Sequence, residues 1–158
     1  MSTKPKHITY SEALVKARHY CAYQERCHYE VEQKLKSLGL HHEFIPAVCV
    51  TLSDEGYLNE GRFVSAFVRG KFNQNGWGRL KIMQGLKTKR ISSKMIEIGL
   101  KEIDESNYYN TLVSILSNKK KIIRSKDQFE LRSKLHRFGI SRGFENNQVL
   151  NALKEILI

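Results

Sequence analysis

Apolar residues recur at helical spacing through nearly the whole chain, and strict apolar–polar alternation is almost absent. Leu14, Ala17 and Cys21 fall at i, i+3, i+7, Val31, Leu35 and Leu38 at i, i+4, i+7, and Ile45, Val48 and Leu52 at i, i+3, i+7. These spacings predict helices over 11–22, 28–38 and 43–54. Pro46 fits the third only in its first turn, where a missing N–H costs nothing. Asp54-Glu55-Gly56-Tyr57 reads as a helix end and turn.

A second set follows the same plan. Phe63, Ala66, Phe67 and Gly70 give a face for a helix near 59–73, and Asn73-Gln74-Asn75-Gly76 a turn. Leu80, Met83 and Leu86 or Lys87 continue a helix near 77–89. Ser92 or Ser93 caps the next, which buries Ile96, Gly99, Leu100 and Ile103. In a third set, Tyr108 or Tyr109, Leu112, Val113 and Leu116 predict a helix near 106–118, ended by Lys119-Lys120-Lys121. Ser125-Lys126-Asp127-Gln128 fits a capping box before a face of Leu131, Leu135 and Phe138. Val149, Leu150, Leu153 and Ile156 or Leu157 make the last helix.

The sets superpose. Leu35 to Leu40, Leu86 to Ile91 and Leu135 to Ile140 are three copies of one pattern, 51 and 49 residues apart. In each, leucine ends a basic helix and an aliphatic residue precedes the next. Gly39 and Gly139 are placed to take a left-handed helix-ending conformation. Arg90 replaces glycine in the middle copy and carries a steric cost if it does the same. The expected fold is all-α: an elongated array of three tandem three-helix repeats. A tail covers 1–10 and the repeats cover 11–57, 58–103 and 104–158.

Charge is unevenly spread across these repeats. Residues 1–57 hold seven Lys/Arg and seven Asp/Glu; 58–103 hold ten and three; 104–158 hold ten and six. The net charge of +11 therefore lies in the middle and last repeats. Such asymmetry points to a polyanionic partner. The N-terminus is polar, with no apolar signal core, and no run is long enough to span a membrane. A cytoplasmic protein is expected. Three cysteines without an export signal argue against a disulfide framework.

Several residues together carry a family resemblance. They are Arg26, Glu30-Val31, Lys34-Leu35, Gly39, Gly56-Tyr57-Leu58, Arg62-Phe63, Gly76-Trp77-Gly78-Arg79-Leu80, Leu86, Arg90-Ile91 and Ile96. In this order and spacing the chain resembles the RecX family of bacterial recombination regulators, from about Ser11 onward and most strongly from Glu30 to Leu100. Asn59 and Arg90 depart from the aspartate and glycine usual at those positions. The resemblance implies a non-enzymatic monomer that binds the RecA recombinase filament on single-stranded DNA. It would damp ATP hydrolysis and strand exchange, within DNA repair, homologous recombination and the SOS response.

Candidate contacts to RecA or DNA in the middle repeat are Arg62, Arg69, Lys71, Arg79, Lys81, Lys87, Lys89 and Arg90. Those in the third repeat are Lys119, Lys120, Lys121, Arg124 and Lys126. A generic basic nucleic-acid-binding module is the alternative. No cofactor, metal or catalytic set is expected. Cys21 and Cys27 are six apart and His41-His42 adjacent, which does not fit the close pairs of structural zinc sites. Gly76-Trp77-Gly78 lacks the strand and the Gly-Lys-Ser ending of a phosphate loop. Trp77 is expected to pack on a neighbouring helix rather than stack on a base. One of Tyr108 and Tyr109 is expected to face the core. Glu30 and Glu32 read as surface charges beside Lys34 and Lys36.

Overall fold

The computed structural model describes residues 7–158; residues 1–6 of the expected tail lie outside them. Among the described residues there are nine α-helices and no strand. They are α1 (Tyr10–Tyr23), α2 (His28–Ser37), α3 (Ile45–Asp54), α4 (Glu60–Asn73), α5 (Arg79–Thr88), α6 (Ser93–Leu100), α7 (Glu105–Ile122), α8 (Gln128–Ser141) and α9 (Asn146–Ile156). They follow one another as three sets of three.

Polar side chains fix several starts. Thr9 Oγ1 accepts from the Glu12 N–H at 3.2 Å, Ser92 Oγ from Met95 at 3.3 Å, and Asp104 Oδ2 from Asn107 at 2.9 Å. Each satisfies an N–H with no partner inside its helix. Pro46 lies in the first turn of α3, as its missing N–H requires. The capping box expected at Ser125 is displaced by two residues. Asp127 is the cap, its Oδ1 accepting from the Glu130 N–H at 2.8 Å, while the Glu130 carboxylate takes the Lys126 N–H at 2.9 Å. A carboxylate serves the positive end of a helix better than the Ser125 hydroxyl would.

Helix ends follow the repeat in two copies and depart from it in the third. Gly39 and Gly56 have φ of 84° and 80°, and Arg90, standing for glycine, takes 58°. Gly139 does not end α8. The left-handed turn falls one helical turn later, at Gly143, with φ 94°. The Phe144 N–H then donates to Gly139 O and the Gly143 N–H to Ile140 O, as Leu40 donates to Leu35 O and Gly39 to Lys36 O. Gly139 serves packing instead: a Cβ there would lie 2.9 Å from Val149 Cγ2 of α9. α7 likewise runs past its expected end, so Lys119, Lys120 and Lys121 occupy its last turn.

Two compact units divide the described chain. One holds residues up to Ala66 together with Lys89–Ile91; the other holds Phe67–Thr88 and Ser92–Ile158. In the first, Ala13, Ala17 and Cys21 form the buried stripe of α1, and Leu14 is only partly buried. They pack with Val31, Leu35, Leu40, Ile45, Val48, Cys49, Leu52 and Leu58. Small residues on α1 let its backbone come close to its neighbours.

The second unit is built around an aromatic row. Tyr108 stacks on Phe72 at a centroid distance of 5.8 Å and tilts against Phe144 at 5.0 Å. Val68, Ile82, Leu86, Leu112, Leu116, Leu131, Leu135, Val149, Ala152 and Leu153 are buried in the same unit. Several expected faces are rotated. In α4, Phe63, Val64, Val68 and Phe72 are buried, while Ala66 and Phe67 are partly covered. In α5, Ile82 is buried and Leu80 exposed; in α8, Gly139 is buried where Phe138 was expected.

Candidate nucleic-acid interface

Where the basic residues stand depends on what each touches. Arg79, first residue of α5, is the most enclosed of those with an internal ion pair, its side chain 18% exposed. Its Nη2 lies 2.5 Å from Glu105 Oε1 and its Nη1 3.0 Å from Glu145 Oε2. Its guanidinium sits 3.9 Å over the Tyr108 ring. The Tyr108 hydroxyl donates to Glu145 Oε1 and accepts from the Arg79 N–H at 3.1 Å. Desolvation works against the Arg79 charge, but the bonds to Glu105 and Glu145 outweigh it and raise the pKa. Burial, then the bond to Glu145, pushes the Tyr108 phenol well above its ordinary range. Arg79 therefore binds α5 to α7 and to the N-terminal end of α9 within its own unit.

Beside it, the Gly76-Trp77-Gly78 turn explains its glycines. Gly76 has φ 63°. A Cβ on Gly78 would lie 2.3 Å from the Gly143 carbonyl carbon, and one on Gly143 2.3 Å from Lys81 Cβ. The Gly78 N–H donates to Arg142 O at 2.8 Å and the Leu80 N–H to Gly143 O at 2.9 Å. Trp77 packs edge-on against Phe67, with ring centroids 6.5 Å apart, as its expected packing role requires. The Lys71 and Lys81 ammoniums lie 4.7 and 4.6 Å from its ring. The indole thus holds two candidate cations in place without neutralising them.

In the other unit, three candidates have internal partners. Arg62 Nε pairs with Glu25 at 2.9 Å and its Nη2 donates to Gly56 O at 2.8 Å. Lys89 pairs at 3.1 Å with Glu30, a residue 14% exposed rather than the surface charge expected of it. The other Glu30 oxygen accepts the Cys27 N–H at 3.2 Å, so this carboxylate fixes both the start of α2 and the 89–91 segment. Arg90 lies 4.8 Å over the Tyr29 ring. Among the remaining candidates, Lys87 is exposed on α5 and Arg69 on α4. Lys119 lies 4.8 Å over Phe138, and Lys120 Nζ donates to Ile156 O. Lys121, Arg124 and Lys126 are exposed.

Residues 59–100 match the model of the RecX second three-helix domain. Regulatory protein RecX of Vibrio campbellii is 31% identical over 125 residues, covering 79% of each chain. That of Legionella pneumophila (strain Corby) is 30% identical over 128 residues, covering 80% of this chain and 83% of that one. This chain belongs to the RecX family. It spans 60% of the length of the Clostridium beijerinckii RecX, to which it is 25% identical. The crystal structure of RecX from Lactobacillus salivarius shares the fold, with a TM-score of 0.80 at 24% identity, over 94% of this chain and 97% of that one.

Within this RecX chain, the matched segment contains every middle-repeat candidate from Arg62 to Arg90. Sequence reasoning passed over a second basic group, on α8: Arg132, Lys134, His136 and Arg137. Their charges are interspersed with Leu131, Leu135 and Phe138, so no run of like charge marked them. Only the helix periodicity, applied to cations instead of leucines, would have found them.

Cys21, Cys27 and Cys49 are free and buried. Desolvation pushes the Cys27 and Cys49 thiols up to about 11, so they are protonated and unreactive near neutrality. Among the described residues, the cluster whose ligand atoms come within 4.8 Å of one another is His41, His42 and Glu43, all exposed, with His41 capping the short turn His42–Phe44. The cysteines are not part of it. No helix among the described residues is long and apolar enough to cross a membrane.

Proposed function

We propose that this chain is a non-enzymatic regulator of the RecA–single-stranded DNA filament, inhibiting its ATPase and strand-exchange activities. The observation that carries the reading is the RecX match over 59–100, a segment that is also the most basic part of the chain. The chain acts in the cytoplasm as a monomer, without a cofactor, by contact and charge alone. Among the candidates, Lys71, Lys81, Lys87 and Arg90 have no carboxylate partner among the described residues and stand available to an external polyanion, as do Lys119, Lys120, Lys121, Arg124 and Lys126. Arg79, Lys89 and Arg62 act first in holding the fold.

RecA ATP hydrolysis on preformed single-stranded DNA filaments, titrated with the protein, tests this. The wild type is expected to inhibit at less than one copy per RecA. The Lys71→Gln/Lys81→Gln/Lys87→Gln variant is expected to need severalfold more protein, with an unchanged circular-dichroism melt. Equal inhibition by the folded variant would take this surface out of the proposal. A wild type that inhibits only by masking free DNA would replace filament regulation with general nucleic-acid binding.

A further inference from the structure

Three shallow grooves border α8, and two arginines join them. The first, of about 420 Å³, lies between α8 and α9 and is lined by Phe129, Arg132, Ser133, His136, Arg137, Leu150 and Leu153. Arg132 also lines a groove at the start of α8 with Lys120, Gln128, Leu157 and Ile158. Arg137 also lines a groove on the α7 side with Lys119, Lys134, Phe138 and Ser141. No Asp or Glu side chain lines any of the three. Neither arginine takes part in an ion pair among the described residues; the one acidic residue of α8, Glu130, is held by Lys134 at 2.8 Å. Phe129 stands at the mouth, 80% exposed.

Phe129 covers no core and shares its groove with two guanidiniums that no ion pair engages among the described residues. We propose that α8 carries a binding path for single-stranded DNA, in which Arg132 and Arg137 contact successive phosphates and the Phe129 ring stacks on a base. The inference deepens the filament reading and rests on it for the biological source of the strand. Stacking on an exposed ring needs a base free of its own partner, which selects a single strand over a duplex. A chain of cationic grooves lined by no Asp or Glu side chain matches a continuous row of phosphates. His136 Nε2 is 2.7 Å from Asn146 Oδ1, which ties the floor of the path to the first residue of α9.

Fluorescence anisotropy with a labelled oligothymidylate, in the absence of RecA, tests the path. Phe129→Ala is expected to weaken binding by about fivefold or more, the scale of one lost stack. Its salt dependence should match the wild type. Arg132→Gln/Arg137→Gln is expected to reduce the slope of log affinity against log salt by about 1.4, at ~0.7 per phosphate. A strand with abasic sites should bind wild type and Phe129→Ala alike. Circular dichroism confirms the fold of each variant, and Phe129 is too exposed for its removal to unfold α8. Undiminished binding by Phe129→Ala, or an unchanged salt slope in the arginine variant, overturns the path. So does equal competition by polyglutamate, which would assign the grooves to acidic protein. The RecA hydrolysis assay on the same variants reads the filament proposal separately: oligonucleotide binding can be lost with inhibition intact, or the reverse.

Discussion

Arg79 shows how a residue can be legible in kind while its partners in the fold are not. Its charge and its place in the basic middle repeat marked it as a candidate contact to RecA or DNA. The fold surrounds it with Glu105, Glu145 and the Tyr108 ring. Nothing local in the sequence pairs residues 26 and 66 positions apart. Arg79→Gln is therefore expected to lower stability by about 1–3 kcal/mol, because Glu145 loses its charged partner. Urea denaturation measures this, and a variant as stable as wild type would return Arg79 to the surface set. The buried thiols give a pH signature. Cys27 and Cys49 keep their protons to about 11 in the fold, against an ordinary 9.0 in the unfolded chain. Their raised values contribute stability that is complete below the unfolded pKa and is lost as pH climbs through the folded one. Tyr108 shifts in the same direction. The urea midpoint should thus fall between about pH 9 and about pH 11. A midpoint that holds across that range would contradict the burial of these groups.

Among elements, helix existence and order were legible, because apolar spacing at 3.6 residues survives in every one of the nine. Exact faces were less so. α4 buries Val64 and Val68, not Ala66 and Phe67, since the large Phe67 ring is used to hold Trp77. The third repeat copy was read one turn short. Gly139 looked like a helix end by analogy with Gly39, but it is a contact point for Val149, and Gly143 makes the turn. A glycine's sequence context does not distinguish the need for positive φ from the need for a missing Cβ; only the partner helix does. Gly143 meets both demands. Gly143→Ala is expected to cost at least about 2 kcal/mol, from the left-handed backbone and from overlap with Lys81. Thermal melting is the check, with Gly56→Ala as the comparison: it has the same positive φ, but nothing lies within 4 Å of its added Cβ. Equal losses in the two would show that backbone conformation alone matters.

Across the whole molecule, charge is held differently in the two units. The first unit keeps much of its charge in internal pairs, Arg18 with Glu55, Arg62 with Glu25 and Lys89 with Glu30. In the second, the cations outnumber the carboxylates able to meet them, and two arginines of α8 make no ion pair among the described residues. Composition showed that excess; only the folded helix showed its arrangement around Phe129. One backbone feature of this unit also has a spectroscopic meaning. Amides in the first turn of a helix have no acceptor inside it and ordinarily trade their hydrogen for solvent deuterium quickly. Those of Gly78 and Leu80, at the start of α5, are instead closed off by the carbonyls of Arg142 and Gly143. Slow deuterium uptake at these two positions is the expected result, and Gly143→Ala should speed it selectively. Two amides in the middle of the chain then become a built-in gauge of whether a segment more than sixty residues away is docked.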